Sequence, residues 1–99
     1  MLDGTYKTNL NTPIGVITGT ITLVSHDKNV DGIIETMGMK NKLQGVKISD
    51  QQCNFSGQFQ TPIGSISYHA VCRVQDQTLH LEAITNKGNF QINGTKIRA

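Results

Sequence analysis

Short runs in which apolar and polar residues alternate recur along the whole chain, and each run ends at a polar or glycine-containing turn. Tyr6 and Leu10 alternate with polar residues in the first run, and Ile17 and Ile21 share one face opposite threonines in the second. A period of two residues is typical of a β-strand with one face against a core. No stretch has a helical period. The predicted strands cover about residues 5–11, 16–24, 30–36, 42–49, 53–60, 65–74, 78–85 and 89–98.

One segment is present twice, because residues 4–48 return as residues 53–97 at an offset of 49 residues without a gap. Each copy contains four of the predicted strands. A four-stranded unit alone would leave exposed strand edges, whereas two units in one chain cover most of them. We therefore predict a single β domain, residues 1–99, with two internal repeats. The repeated motifs are Thr-Pro-Ile-Gly, at 12–15 and 61–64, and Gly-x-Lys-Ile, at 45–48 and 94–97.

Eight strands joined by hairpin-length turns predict an all-β fold, an eight-stranded antiparallel meander made of two four-strand repeats. We expect it to close into a small barrel or roll, and a two-sheet sandwich is the alternative. The Thr-Pro-Ile-Gly motif predicts a type I turn in a bulged hairpin. Gly45 and Gly94 predict bulges inside strands, since Gln44 tolerates the positive φ of a tight turn poorly.

Composition removes several classes of function. The net charge is +2 and the basic residues stand singly, so we expect no nucleic-acid partner. No leader pattern and no apolar stretch of membrane-spanning length is visible, and we expect a cytoplasmic protein without a membrane partner. Cys53 and Cys72 lack histidines at ligand spacing, so we expect no metal and no cofactor. Cys72 is predicted to be buried; whether the two cysteines pair depends on their Cα separation.

The interior is the first candidate site. An eight-stranded barrel has room for its own side chains or for one small ligand. Small inward residues such as Gly32 predict a cavity lined by Tyr6, Phe55, Phe59 and Tyr68, which would suit a small apolar or aromatic ligand. The alternative is that the small residues compensate for large neighbours in a tightly packed core.

The second candidate is a polar group formed by His69, His80 and Glu82, which the alternation places on one outward face of neighbouring strands. An imidazole beside a carboxylate can act as a general base or bind a metal. The alternative is a set of polar cross-strand pairs on a solvated sheet. They are the candidate catalytic residues if the protein is a small enzyme.

Apolar residues in the turns give a third candidate. Ile14 and Ile63 lie at predicted hairpin tips, and Met37 and Met39 flank a glycine in another turn. Exposed together, they would form a patch for a partner protein or for a second copy of the chain. The alternative is that each isoleucine folds back and plugs one end of the barrel.

The order Gly-Thr-Tyr-x-Thr-x-Leu-x-Thr-Pro-Ile-Gly over residues 4–15, with the closing Gly-Thr-Lys-Ile of residues 94–97, resembles a family of small duplicated β domains. That family occurs in anaerobic and Gram-positive bacteria, alone or appended to larger proteins such as flavin-dependent oxidoreductases. The chain has Ile where the family more often has Met in the turn. The resemblance is specific for the fold and weak for activity, and it supplies no catalytic residue. We predict a non-enzymatic binding or accessory module.

Overall fold

Eight antiparallel strands follow one another around a closed barrel, in which each strand pairs with its neighbours in sequence and β8 pairs back onto β1. The computed structural model describes residues 2–12, 15–36, 38–61 and 64–98, except for the side chains of residues 12 and 59–61. The predicted all-β meander and its closure are confirmed, and the two-sheet sandwich is excluded. The strands are β1 Gly4–Thr12, β2 Gly15–His26, β3 Asn29–Thr36, β4 Met39–Ser49, β5 Gln52–Thr61, β6 Gly64–Gln75, β7 Thr78–Thr85 and β8 Gly88–Arg98.

Two long hairpins repeat the same register. The β1–β2 ladder runs from Gly4–Leu23 to Thr12–Gly15, and the β5–β6 ladder ends in the same way at Thr61–Gly64. Neither ladder contains a register shift. The predicted type I turns fall on residues 13–14 and 62–63, which lie outside the described residues.

The predicted bulges at Gly45 and Gly94 are wrong, because both glycines occupy regular ladder positions opposite Phe55 and Thr8. The register shifts fall instead three residues later, between Lys47 and Ser49 and at the corresponding place in β8. Gly45 is needed for close approach of β4 and β5. A Cβ on Gly45 would overlap the main-chain oxygen of Asn54 and would lie 2.6 Å from Cδ1 of Phe55.

Isoleucines stand at the two register shifts. Ile48 and Ile97 are each 55% exposed, and each follows two residues after an outward residue of its strand, Val46 and Thr95. Strand alternation therefore already places both side chains on the outer face of the barrel.

The core is concentrated toward one end of the barrel. We call it the Leu2 end: it carries the turns that follow β2, β4 and β6, and Leu2 itself is buried there. The opposite end, the Gly64 end, carries the turns that follow β1, β3, β5 and β7. The largest fully buried side chains are Tyr6, Phe55, Leu2, Ile21, Leu23, Leu79, Val30, Val74, Cys53 and Cys72.

The two seams between the halves of the chain differ in length. The β8–β1 seam is paired as far as Leu10–Ile92. The β4–β5 seam stops at Gly45–Phe55; beyond it, the described residues of β4 pair with β3 alone and those of β5 with β6 alone. The barrel wall is therefore held less tightly between β4 and β5 at the Gly64 end.

Candidate functional site

The inner wall at the Gly64 end is apolar and partly open to solvent. Inward side chains elsewhere in the barrel are mostly buried, whereas those near this end keep an intermediate exposure. Gly57 is exposed although its ladder partner Tyr68 faces the interior. We call this region the mouth, and the residues that define it are Leu10, Ile17, Ile66, Phe90 and Ile92.

The register brings the mouth residues together. Leu10 pairs with Ile17 on one side and with Ile92 on the other, so that three apolar side chains from β1, β2 and β8 adjoin. Phe90 lies one inward position from Ile92 on the same strand. The result is an apolar lining on β8, β1 and β2, and Ile66 adds an inward apolar residue on β6.

Two of the predicted ligand-lining aromatics lie deep in the core. Tyr6 is 0% exposed, and its hydroxyl donates a 2.8 Å hydrogen bond to the carbonyl oxygen of Leu2. Burial raises the pKa of Tyr6 to about 12. Phe55 is 1% exposed and covers Gly45. Tyr6 therefore fills space near the Leu2 end, and Phe55 fills space beside Gly45.

The third aromatic, Tyr68, borders the mouth. Its hydroxyl would lie 3.2 Å from a Cβ on Gly57, so the phenol occupies the place of the missing side chain. Burial raises the pKa of Tyr68. The fourth predicted residue is Phe59, whose side chain lies outside the described part. A similar filling occurs at Gly32, where a Cβ would meet side-chain atoms of Leu23 and Leu43 at 3.3 Å.

The histidine candidates lie exposed on the outer face of β6 and β7. Nδ1 of His69 is 2.9 Å from Oγ of Ser56, and Nδ1 of His80 is 2.7 Å from Oδ1 of Asn93. Their ladder rows are different, since His69 is opposite Ile84 and His80 is opposite Arg73. Glu82 belongs to a third row, opposite Val71. The two imidazoles thus contact Ser56 and Asn93, and the three candidate residues lie in three different ladder rows.

Two concavities occur on the outer wall. One, of about 520 Å³, is an open groove that crosses β1, β2 and β3 on the outer wall. Its lining includes Lys7, Glu35, Lys40 at the start of β4 and Ile97 of β8. The other, of about 380 Å³, lies near the β6–β7 turn and includes Arg73 and His80. In the first concavity, Glu35 and Lys40 are both exposed, with Nζ of Lys40 3.8 Å from Oε1 of Glu35.

Of the predicted turn patch, only Met39 belongs to the described residues, where it is half-buried at the start of β4. Ile14, Ile63 and Met37 lie outside the described part of the chain. The patch therefore remains a prediction.

The cysteines are the feature that the sequence reasoning left undecided. Cys53 and Cys72 are direct ladder partners, and both are 0% exposed. Each cysteine is eight residues from the Thr61–Gly64 row of this hairpin, at Cys53 on one strand and at Cys72 on the other. The bond donated by Cys72 lowers the pKa of the Cys53 thiol, and the same bond together with burial raises the pKa of Cys72.

A polar contact of the N-terminal segment was also missed. The carboxylate of Asp3 accepts a 2.5 Å hydrogen bond from the Ser25 hydroxyl and a 3.2 Å bond from the Ser25 amide. These bonds lower the pKa of Asp3. They hold the start of the chain, and with it Leu2, against the end of β2.

Comparisons with protein-family models, with curated proteins and with solved structures found no significant match of any of the three kinds. Within the described ranges, we find no helix with the length and apolarity needed to cross a membrane. The same ranges contain no cluster of three or more His, Cys, Asp or Glu side chains able to hold a metal ion. The fold and the mouth thus define a small all-β eight-stranded barrel.

Proposed function

We propose that this protein is a binding module that takes up a small apolar or aromatic ligand through the mouth at the Gly64 end. The observation that carries the proposal is the partial exposure of five inward apolar side chains around this end. When a ligand covers apolar surface that was in contact with water, the free energy of binding gains about 25 cal/mol for each Å² covered. Mouths of β-barrels are common places for such ligands.

The unpaired part of the β4–β5 seam supports the same proposal. Strands that are hydrogen-bonded on one side only can separate further than strands held on both sides. Gly57 lies on β5 in this part, and the phenol of Tyr68 occupies the place of its missing side chain. A ligand that enters the mouth would reach Tyr68 first, whereas Tyr6 and Phe55 would contact it only if the core rearranged. We therefore place Tyr68, with the mouth residues, in the proposed site.

The experiment measures the binding of an apolar fluorescent probe, 1-anilinonaphthalene-8-sulfonate, to the folded protein. Ile17→Thr and Ile66→Thr each remove apolar surface from the mouth while keeping a β-branched side chain. Loss of about one buried methylene weakens binding roughly fourfold. The matched control is Ile84→Thr, because Ile84 is 55% exposed on the outer wall. Equal affinity in the mouth variants and the control would refute the proposal.

Docking of a partner protein or a second copy of the chain is the other part of the binding hypothesis. It rests on the exposed apolar side chains of the outer wall, among them Val46, Ile48 and Ile97. Native mass spectrometry of the protein from its own host distinguishes the two forms of the proposal. A retained small molecule supports uptake through the mouth, and a retained protein or homo-oligomer supports docking.

The resemblance to small duplicated β domains makes an accessory role beside a larger bacterial protein part of this proposal. The duplication, the bacterial origin and the cytoplasmic location remain predictions. The alternative is a small enzyme that uses His69, His80 and Glu82. The two imidazoles contact Ser56 and Asn93 on the outer wall, and no contact in the described chain favours the enzyme over the binding module.

A further inference from the structure

We propose that Cys53 and Cys72 form a redox-active pair, which a small disulfide oxidant such as oxidised glutathione converts into a disulfide across β5 and β6. The inference is independent of the mouth, because the pair lies toward the Leu2 end. It adds a modification site to the barrel.

The ladder geometry permits this bond without movement of the strands. Opposed residues of antiparallel strands have Cα atoms about 4.5 to 5.5 Å apart. A disulfide accepts Cα separations of about 4.4 to 6.8 Å. Cys53 and Cys72 stand in the same ladder row, and both side chains are buried on the inner face of the barrel. The sulfur atoms are therefore already neighbours in the reduced protein.

The fold does not require cysteine at these positions. At an offset of 49 residues, Cys53 corresponds to Gly4 and Cys72 to Leu23, and these two residues are also direct ladder partners. Leu23 is 1% exposed, so an apolar residue beside a glycine closes the barrel there. The barrel thus closes with a glycine and a leucine at one of these two equivalent rows and with two cysteines at the other.

An oxidant reaches the buried pair through the β4–β5 seam. Cys53 is the ladder partner of Lys47, and the register shift of this seam begins immediately after that row. The seam is short, because its pairing extends only from Ser49–Gln52 to Gly45–Phe55. Short, irregular ladders open locally at a lower free energy than the whole domain unfolds. Opening of this seam would expose Cys53 while the β5–β6 hairpin remains paired.

The reaction consists of two thiol–disulfide exchanges. The Cys53 thiolate attacks one sulfur of oxidised glutathione, forms a mixed disulfide and releases one glutathione. Cys72 then loses its proton to solvent and attacks Sγ of Cys53, which releases the second glutathione. Two thiols of the protein are oxidised and one glutathione disulfide is reduced to two thiols. Cys53 acts first because it lies in the β4–β5 seam, whose opening exposes it, and Cys72 lowers the pKa of its thiol.

The test exposes the folded, reduced chain to oxidised glutathione, blocks remaining thiols with N-ethylmaleimide under denaturing conditions and measures the intact mass. We expect the native chain to lose about 2 Da, the two thiol hydrogens, and to take up no maleimide. Cys53→Ser and Cys72→Ser should not form this product, and a thiol that reacts in them should retain one glutathione. A peptide map should show residues 53 and 72 in one cross-linked fragment.

Two results would overturn the proposal. One is a native chain that accumulates the glutathione adduct without forming the internal disulfide, which would mean that the sulfur atoms cannot meet. The other is a chain whose thiols stay reduced while it is folded and react only in denaturant, which would make the pair a packing contact. Both results are measured on the native chain, so they remain decisive even if a serine variant fails to fold.

Discussion

Gly45 and Gly94 provide a direct test of why glycine occupies these strand positions. They are equivalent at an offset of 49 residues, yet their surroundings differ. A Cβ on Gly45 would overlap the main-chain oxygen of Asn54 and crowd the ring of Phe55 at 2.6 Å. A Cβ on Gly94 would have its nearest atoms at 3.2 Å. The same substitution to alanine should therefore have very different effects.

The magnitude follows from two opposing contributions. Forcing an extra methyl group into a filled space costs typically about 1–3 kcal/mol, and Gly45 belongs at the upper limit because a main-chain atom must move. Replacing glycine within a strand returns about 0.5–1 kcal/mol of conformational entropy. Gly45→Ala should lose about 2 kcal/mol of unfolding free energy, which lowers the melting temperature by roughly 10–15 °C. Gly94→Ala should change the unfolding free energy by less than about 0.5 kcal/mol.

The assay is urea unfolding followed by far-ultraviolet circular dichroism, with thermal melts of both variants beside the native chain. The difference between the two variants matters more than either value, because composition and intrinsic propensity are the same in both. If Gly45→Ala is as stable as Gly94→Ala, the close approach of β4 and β5 is not the reason for glycine. The reasoning would then fail.

The other predictions concern single contacts. Tyr6→Phe removes the hydroxyl that bonds to the Leu2 carbonyl and should lower the unfolding free energy by about 1–2 kcal/mol in urea titrations. Because burial raises the pKa of Tyr6 from 10.0 to about 12, native stability should fall as pH rises from about 10 to 12. The phenylalanine variant should lose that part of the slope; an unchanged slope would contradict this. Asp3 has a pKa lowered from 3.8 by its bonds to Ser25, so its stabilising contribution is complete above that value and is lost on further acidification. Asp3→Asn should flatten this acid limb, as measured by melting temperature against pH, and an identical limb would refute the assignment. Closing the internal disulfide should stabilise the folded chain by about 3 kcal/mol relative to its reduced form. Calorimetry of the two forms checks this; equal melting temperatures would contradict it.

Much of the fold follows from local pattern. The alternation predicted eight strands, and the observed bounds differ from the predicted ones by only a few residues. The buried position of Cys72 also follows from alternation, and its 0% exposure confirms it. These features depend on residues close in sequence or related by one hairpin.

The bulges show where pattern fails. Gly45 looked like a bulge because glycine often marks one, but its reason is the ring of Phe55 on another strand. The register shift lies instead between Lys47 and Ser49, and the residues around it give no sign of it in the sequence. A residue's response to a strand that arrives from elsewhere in the chain cannot be inferred from its own neighbours.

The sequence by itself determined which side chains face inward, since strand alternation is a local property of the backbone, and it determined the hairpins through their short turns. Only the tertiary structure decided that β8 closes onto β1, that the β4–β5 seam stops at Gly45–Phe55, and that the mouth residues keep contact with solvent. Those outcomes depend on the accumulated twist and stagger of eight strands, to which every strand contributes and which no single segment encodes.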